Sequence, residues 1–253
     1  YTTPSTEQMS TQKPPLRTVV LHYHLFKNAG TSLDQILKHN FRDAWVTTEF
    51  DTSTQSNTPA VENWITENPK ACAFSSHTMK GPLPIIDGVQ IIPVMLLRDP
   101  VARIRSAYQF ERAQTSDSWG AQLAKQHDLE GYVQARLERA KDRQCRNFQT
   151  GRLASFIANK QPELMRAFDG VRLINAAGVI GLVSDFDGAM KVLTKRLSKP
   201  FPNFKAVQAR VNSSKPDSTP VPSDLNQLLR EMNADDLVVL RTLRDLLSSQ
   251  TGE

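Results

Sequence analysis

The sequence contains little cysteine, few aromatic residues and no long apolar run. Two cysteines among 253 residues can form neither a disulfide framework nor a four-ligand zinc site. A reducing compartment, the cytoplasm, is therefore the expected setting. The longest apolar run, Ile91 to Leu97, is interrupted by Pro93 and is far shorter than the roughly 18 residues that cross a membrane. We therefore expect no integral membrane segment.

The charge balance is moderately basic. Lys and Arg number 31 against 26 Asp and Glu, which gives a formal net charge of +5 and a pI near 9.3. Such a surplus favours anionic ligands. The cations are dispersed along the chain, however, and only 7% of the residues are aromatic, so the cationic stripe with interleaved aromatic residues that is typical of nucleic-acid sites is missing. We expect no nucleic-acid partner.

The segment order predicts one α/β domain after a short arm. Residues 1–16 are rich in Thr, Ser, Gln and Pro without periodicity, which predicts a flexible N-terminal arm. Residues 17–253 show no internal repeat and are interpreted as a single domain. Apolar strands alternate with amphipathic helices there, which predicts a three-layer parallel sheet flanked by helices on both faces, with ligands at the carboxyl ends of strands. Because the chain starts at Tyr1, it stays open whether this domain was cut from a longer protein.

The first functional candidate is the junction between a predicted strand, Thr18 to Phe26, and a helix that Thr31 would cap. This junction, residues 27–32, holds one lysine among small residues. Free backbone amides and the positive helix end can bind a phosphate there, and small side chains let the anion approach. It is not a Walker A loop, in which the lysine follows a glycine, because no glycine precedes Gly30 in this chain. An ordinary turn with a solvated Lys27 is the alternative.

A second junction follows the predicted strand Val89 to Leu97. Arg98 ends that strand, and Asp99 and Pro100 stand in the favoured cap and first positions of a helix. An arginine there can bind a phosphate through two hydrogen bonds, and Ser106, two turns into the helix, can reach the same group. The alternative is that Arg98 simply pairs with Asp99 or another carboxylate.

Together the two junctions resemble a known pair of cofactor loops. FKNAGTS at 26–32 and LLRDPVARIRSAY at 96–108 are similar to the loops of sulfotransferases that use 3′-phosphoadenosine 5′-phosphosulfate (PAPS), closest to the carbohydrate branch with the uronyl 2-O-sulfotransferases. The resemblance extends to RNFQTGRL at 146–153, VIGLVSDFDGAMKVL at 179–193, RVNSS at 210–214 and a final pair of predicted helices. It implies a P-loop-NTPase-like sulfotransferase fold over nearly all of 17–247.

The resemblance also implies roles for single residues. Lys27 would contact the 5′-phosphosulfate and stabilise the leaving oxygen, while Arg98 and Ser106 would bind the 3′-phosphate. The loop around Asn212 to Lys215 would close over the nucleotide. No metal ion is implied. The backbone that would hold the phosphosulfate oxygens is that of Asn28, Ala29, Gly30, Thr31 and Ser32.

A hydroxyl acceptor needs a general base, and imidazole suits that task at neutral pH. His77 follows the short predicted strand Ala71 to Phe74 and resembles the catalytic histidine of the family. Relatives in that family carry a paired His-x-His there, whereas this sequence has Ser75 in place of the first histidine. His77 is therefore predicted as the base, and the departure at Ser75 points to a different acceptor or to lost turnover.

The other histidines and the cations are open to several interpretations. His22 and His24 alternate along the first strand and face the same way, as a metal pair would, but the sequence shows no third ligand, so no metal site is predicted. His24 could instead border the cofactor site. A further set of cations could recognise an anionic acceptor such as an acidic carbohydrate, or could simply be solvated. This set comprises Lys80, Arg103, Arg105, Arg146 and Arg152.

Three functions follow from these patterns. The leading prediction is a PAPS-dependent sulfotransferase that acts on a hydroxyl group, with the desulfated product 3′-phosphoadenosine 5′-phosphate (PAP). A nucleotide-dependent kinase of related architecture is the second; it lacks a Walker A loop, although Asp185 and Asp187 follow a predicted strand and could hold magnesium. The third is a non-catalytic nucleotide-binding domain. The acceptor and the oligomeric state are not predicted.

Overall fold

The fold is described from a computed structural model, in which residues 16–207 and 220–250 are placed. In this part of the chain five strands alternate with ten α-helices. The strands are β1 Arg17–Tyr23, β2 Trp45–Thr47, β3 Ala73–Ser76, β4 Val89–Leu97 and β5 Val179–Leu182. The helices are α1 Gly30–Phe41, α2 Thr58–Glu67, α3 Pro100–Ala113, α4 Trp119–Gln126, α5 Leu129–Glu138, α6 Phe148–Ala154, α7 Glu163–Ala177, α8 Phe186–Leu197, α9 Ser223–Met232 and α10 Ala234–Gln250. No helix within these residues is both long and apolar enough to cross a membrane.

The five strands form one sheet in the order β2-β3-β1-β4-β5, and every neighbouring pair is parallel. From β1 the chain passes through α1 toward β2, at one edge of the sheet. From β4 it passes toward β5, at the opposite edge. The direction of the connections therefore changes between β1 and β4, and in open α/β sheets ligands bind at the carboxyl ends of such a strand pair.

Both faces of the sheet are covered, and the alternation of side chains along each strand explains how. In β1, Val19, Leu21 and Tyr23 pack into the core beneath α2, α7 and α10, whereas Val20 packs toward α1 and α8. Side chains of a strand alternate between faces, so His22 lies on the α1 side with Val20. The predicted α/β fold with a parallel sheet and helices on both faces is confirmed.

Several boundaries differ from the predictions. The first strand ends at Tyr23 rather than Phe26, because the chain turns at 26–29 before α1. Helix α1 begins at Gly30, so Thr31 lies inside its first turn; the prediction that Thr31 caps the helix was wrong, and Ala29 occupies the cap position. The third strand runs two residues later than expected and includes Ser75.

The predicted start of α3 is confirmed. Asp99 is its N-cap and accepts a hydrogen bond from the amide of Ala102 at 3.0 Å, and Pro100 is its first residue. Val101, Ile104 and Ala107 face inward from this helix. Val101 and Ile104 contribute to a third cluster of apolar residues shared with α4, α5 and α9. This packing fixes the orientation of α3 relative to the sheet edge where β4 ends.

Candidate functional site

The loop between β1 and α1 has an unusual backbone. Lys27 and Ala29 have φ angles of 64° and 57°, in the left-handed region that residues with a Cβ seldom occupy. Such conformations persist where the surrounding structure enforces them, and they concentrate at binding sites. Alternation of left-handed and right-handed residues also turns successive amides toward one point, which makes a concave anion site.

The amides of this loop divide into two groups. The amide of Asn28 donates to the carbonyl of Leu25, and the amide of Ser32 donates to the carbonyl of Ala29, both at 3.1 Å. The amides of Ala29, Gly30 and Thr31 have no backbone acceptor among the described residues. Three of the five backbone groups that the resemblance assigned to the phosphosulfate are therefore free for a ligand, and they lie at the positive end of α1.

Lys27 and Arg98 are brought together at the carboxyl ends of β1 and β4. Nη1 of Arg98 donates to the carbonyl of Lys27 at 3.0 Å, and Nζ of Lys27 lies 4.4 Å from the centre of the Phe110 ring. Burial, and then the charge of Arg98, lower the pKa of the Lys27 ammonium. Within the described residues no carboxylate forms an ion pair with either cation. The alternative that Arg98 pairs with Asp99 is not what the structure shows, because Asp99 caps α3 instead.

Ser106 lies on the same face of α3 as Phe110, which contacts the loop between β1 and α1. It precedes Phe110 by four residues, and residues at that spacing lie on the same side of a helix. Phe110 contacts Lys27, and the centres of the Phe110 and Phe26 rings are 5.5 Å apart. Ser106 is half-buried, one turn closer to the start of α3 and hence to Arg98.

A buried glutamine, missed as a functional residue from the sequence, ties the two junctions together. Nε2 of Gln149 donates to the carbonyl of Arg98 at 2.7 Å, and its Oε1 accepts from the Arg98 amide and from Nδ2 of Asn28, both at 2.8 Å. Nδ2 of Asn28 also donates to the carbonyl of Leu96 at 2.8 Å. The side chain of Asn28 thus holds the loop in place, leaving only its neighbours' amides for a ligand. Gln149 belongs to the segment RNFQTGRL, the one sequence signal that pointed here.

His77 lies directly after β3 and is oriented by a carboxylate. Its Nδ1 is 2.7 Å from Oε1 of Glu49, which also accepts from the His77 amide at 3.2 Å. Burial raises the pKa of Glu49, but hydrogen bonds from Thr78 and His77 outweigh it, so the pKa is lowered overall. The His77 side chain is 48% exposed, so a ligand can reach it. Glu49 was not predicted, because it lies in a loop far from any sequence motif.

His22 and His24 share one carboxylate on α1. Nδ1 of His22 is 2.7 Å from Oδ1 of Asp34, and Nδ1 of His24 is 2.8 Å from Oδ2. Although burial raises the pKa of Asp34, the hydrogen bonds from the two imidazoles lower it more. His22 also contacts Oγ of Ser75 at 3.3 Å.

A cavity of about 890 Å³ borders the segment that carries His77. Arg152 lines it and donates to the carbonyls of His77 and Met79, at 2.8 and 3.1 Å. Lys80 lines it as well, and its ammonium donates to two carbonyls of the loop before α2. Five cations line it together with apolar and neutral residues, and Glu163 is the only carboxylate among the described lining residues. The lining cations are Lys80, Arg143, Arg152, Lys160 and Arg166.

The remaining residues singled out in the sequence lie in different environments. Arg103 is fully buried, donates to Gln144 and lies over the Phe148 ring, so the idea that it recognises an acceptor was wrong. Arg146 donates to the carbonyl of Leu137 at 2.9 Å. The loop around 212–215, expected to close over a nucleotide, lies outside the described residues.

Fold and site define a three-layer α/β protein with cationic and histidine side chains at the carboxyl edge of a parallel sheet. No model of a known protein family matches the chain. An uncharacterized protein of Archaeoglobus fulgidus is 33% identical over 250 residues, which span 91% of this chain and 97% of the archaeal protein. The chain belongs to the same family as that protein.

Proposed function

We propose that this protein is a PAPS-dependent sulfotransferase with a P-loop-like sulfotransferase fold. The observation that carries the proposal is the pair of cations Lys27 and Arg98, which lie 71 residues apart in sequence but share a hydrogen bond. Neither forms an ion pair with a carboxylate of the described residues. PAPS has two separate anionic ends, and each junction offers one of them a cation. The free amides at the start of α1 suit the 5′-phosphosulfate, and Arg98 with Ser106 suits the 3′-phosphate.

Lys27 would act on the leaving group. Sulfuryl transfer, like phosphoryl transfer, is an in-line displacement in which negative charge grows on the bridging oxygen as its bond to sulfur breaks. A cation beside that oxygen stabilises the transition state more than the ground state. In the proposed complex the ammonium of Lys27 leaves the Phe110 ring for this oxygen.

The acceptor hydroxyl would lose its proton to His77. The hydrogen bond to Glu49 fixes Nδ1 as the protonated nitrogen and leaves Nε2 as the base. The acceptor itself would bind in the cavity lined by Lys80 and Arg152, because Arg152 connects that cavity to the His77 segment. A cavity rich in cations favours a hydroxyl compound that carries negative charge, such as an acidic carbohydrate.

A nucleotide-dependent kinase is less well supported. Asp185, a possible magnesium ligand from the sequence, caps α8 and accepts from the amide of Gly188 at 3.1 Å. A non-catalytic nucleotide-binding domain would keep the cations without the base. The carboxylate-oriented imidazole of His77 favours catalysis over that alternative.

Calorimetric titration separates these functions. We expect PAP to bind the wild-type protein in EDTA, whereas a kinase would bind ATP with magnesium and ignore PAP. Turnover is then followed as PAP formed from PAPS in the presence of acidic and neutral sugars. Binding of PAP without any turnover would favour the non-catalytic domain, and heat from magnesium-ATP alone would overturn the proposal.

A further inference from the structure

Two imidazoles from neighbouring strands meet at the carboxyl edge of the sheet. The ring centres of His24 and His77 are 3.9 Å apart, and the rings are tilted by 33°. Each ring has its own carboxylate: Asp34 for His24, at 2.8 Å, and Glu49 for His77, at 2.7 Å. The site therefore contains two imidazoles in contact, each held by an acid from a different element.

The carboxylates determine which nitrogen carries the proton in each neutral ring. Both acids contact Nδ1, so that nitrogen must donate, and the lone pair lies on Nε2. Among the described residues Nε2 of His24 has no hydrogen-bond partner. Burial is the main cause that lowers the pKa of His24, which keeps its imidazole neutral. His24 thus has the orientation and protonation state of a general base.

The start of α1 places His24 beside the cofactor loop. A Cβ added to Gly30 would overlap the Nε2 and Cδ2 edge of the His24 ring. Glycine at this position is thus what allows the imidazole to lie directly against the first turn of α1. The same turn provides the free amides that we assign to the phosphosulfate, so the basic edge of His24 lies next to the place where sulfur would be attacked.

We propose that His24 is a second catalytic base, so that His24 and His77 share the removal of the acceptor proton. This rests on the proposed function. As the acceptor oxygen bonds to sulfur, its proton passes to Nε2 of one of the two imidazoles. The bond between sulfur and the bridging oxygen breaks, and its electron pair stays on the 5′-phosphate of PAP. The imidazolium formed is stabilised by Asp34 or by Glu49. The second imidazole thus follows directly after β1, whereas β3 carries Ser75 where a second histidine would stand.

A metal site is the competing interpretation of the same residues. Ligand atoms of His22, His24 and Asp34 lie within 4.8 Å of one another. However, each Nδ1 lies at hydrogen-bond distance from its own oxygen of Asp34, so the protons on these nitrogens occupy the positions that a metal would need. The geometry favours hydrogen bonds, and metal binding becomes an outcome of the test.

The first test reads the imidazoles directly by nitrogen-15 NMR at pH 7.5, in EDTA. We expect His24 to be protonated at Nδ1 and unprotonated at Nε2, and this preference should weaken in Asp34→Asn. Added PAP should shift the Nε2 signals of His24 and His77 but not those of His39, which is exposed on the far end of α1. A proton on Nε2 of His24, or displacement of the Nδ1 protons by added zinc, would overturn the proposal.

The second test compares His24→Asn, His77→Asn and the double variant, with His127→Asn as an exposed control. The readout is PAP formed from PAPS with water as the acceptor. We expect each single variant to lose about 10-fold or less and the double variant to lose roughly 10²- to 10⁴-fold, the usual contribution of a general base. If either single variant loses as much as the double, the bases are not shared. PAP binding is measured by calorimetry in parallel. If the wild-type protein does not bind PAP, the proposed sulfotransferase function is refuted. If PAP binds normally but the variants do not show the expected rates, only the proposal of a shared base is refuted.

Discussion

The guanidinium of Arg98 donates a hydrogen bond to the backbone carbonyl of Lys27 at 3.0 Å. This bond joins the two junctions at the edge of the sheet and holds two cations close together. The charge of Arg98 lowers the pKa of Lys27, which means that the two cations repel each other. A bound nucleotide with one anionic group at each cation would relieve that repulsion, so its binding should stabilise the folded protein.

Replacement of Lys27 by alanine should reduce turnover more than binding. The ammonium is proposed to act on charge that develops only in the transition state, and removal of one such donor lowers rates by about 10²- to 10³-fold. The measurement is PAP formation from PAPS alongside the dissociation constant for PAP. Lys70→Ala, at an exposed position before β3, is the matched control and should behave as wild type. An equal loss in binding and in rate would show that Lys27 only holds the cofactor.

Gln149→Leu should destabilise the protein and loosen both junctions. The leucine would leave the amide and the carbonyl of Arg98 without their side-chain partner, and Nδ2 of Asn28 would keep only its bond to the carbonyl of Leu96. A buried polar group without a partner costs about 1–3 kcal/mol, so the free energy of unfolding should fall by at least that much. Urea unfolding measures it.

The control for this prediction is Gln134→Leu on the exposed side of α5, whose glutamine bonds only to Glu130 at the surface. We expect a change within about 0.5 kcal/mol there. If the two leucine variants were equally stable, Gln149 would not hold the junctions, and the geometry of the cation pair would need another cause.

As the pH decreases, the free energy of unfolding should decrease in two separate pH ranges. His24 has a lowered pKa in the fold, so below its usual value of 6.5 the unfolded chain binds the proton more readily and stability is lost. Asp34 also has a lowered pKa, so further stability disappears below its usual value of 3.8. Urea unfolding from pH 8 to pH 3 checks both ranges.

Asp34→Asn should lose less stability below pH 3.8 than the wild type, because the amide cannot be protonated there and only other carboxylates such as Glu49 still contribute. Asp169→Asn is the control, since Asp169 pairs only with the exposed Arg172 and contributes little. An unchanged acid profile in Asp34→Asn would mean that the two histidines do not bond to this carboxylate in solution.

The parts of the fold that were predictable are those in which local chemistry decides the structure. The strand Val89–Leu97 is apolar and buried from Ile92 onward because that part is covered on both faces, and Asp99 with Pro100 is a favoured helix start. Both junctions could be found for the same reason, since each lies between a recognisable strand and a recognisable helix.

The remaining parts depend on contacts between distant segments. The start of α1 was misplaced because Ala29 adopts a left-handed conformation that no propensity favours. Glu49 follows β2 and reaches His77 only because β2 pairs with β3. Asp34 reaches His22 and His24 only because α1 packs against β1. In the sequence, Gln149 resembles any other helix residue. Its role depends on the packing of α6 against the ends of β1 and β4, which the local sequence does not show. The sequence therefore located the cations but not the groups that hold and orient the site.

The most direct test compares the binding of PAP with that of adenosine 5′-monophosphate, which lacks the 3′-phosphate, by calorimetry in EDTA. Wild-type protein should bind PAP roughly 10- to 100-fold more tightly, which corresponds to charged hydrogen bonds to the 3′-phosphate. Arg98→Ala should bind the two nucleotides alike, whereas Arg172→Ala, at an exposed arginine, should keep the preference. Equal binding of both nucleotides by the wild type, or binding of ATP only with magnesium, would contradict the assignment of the two junctions to PAPS.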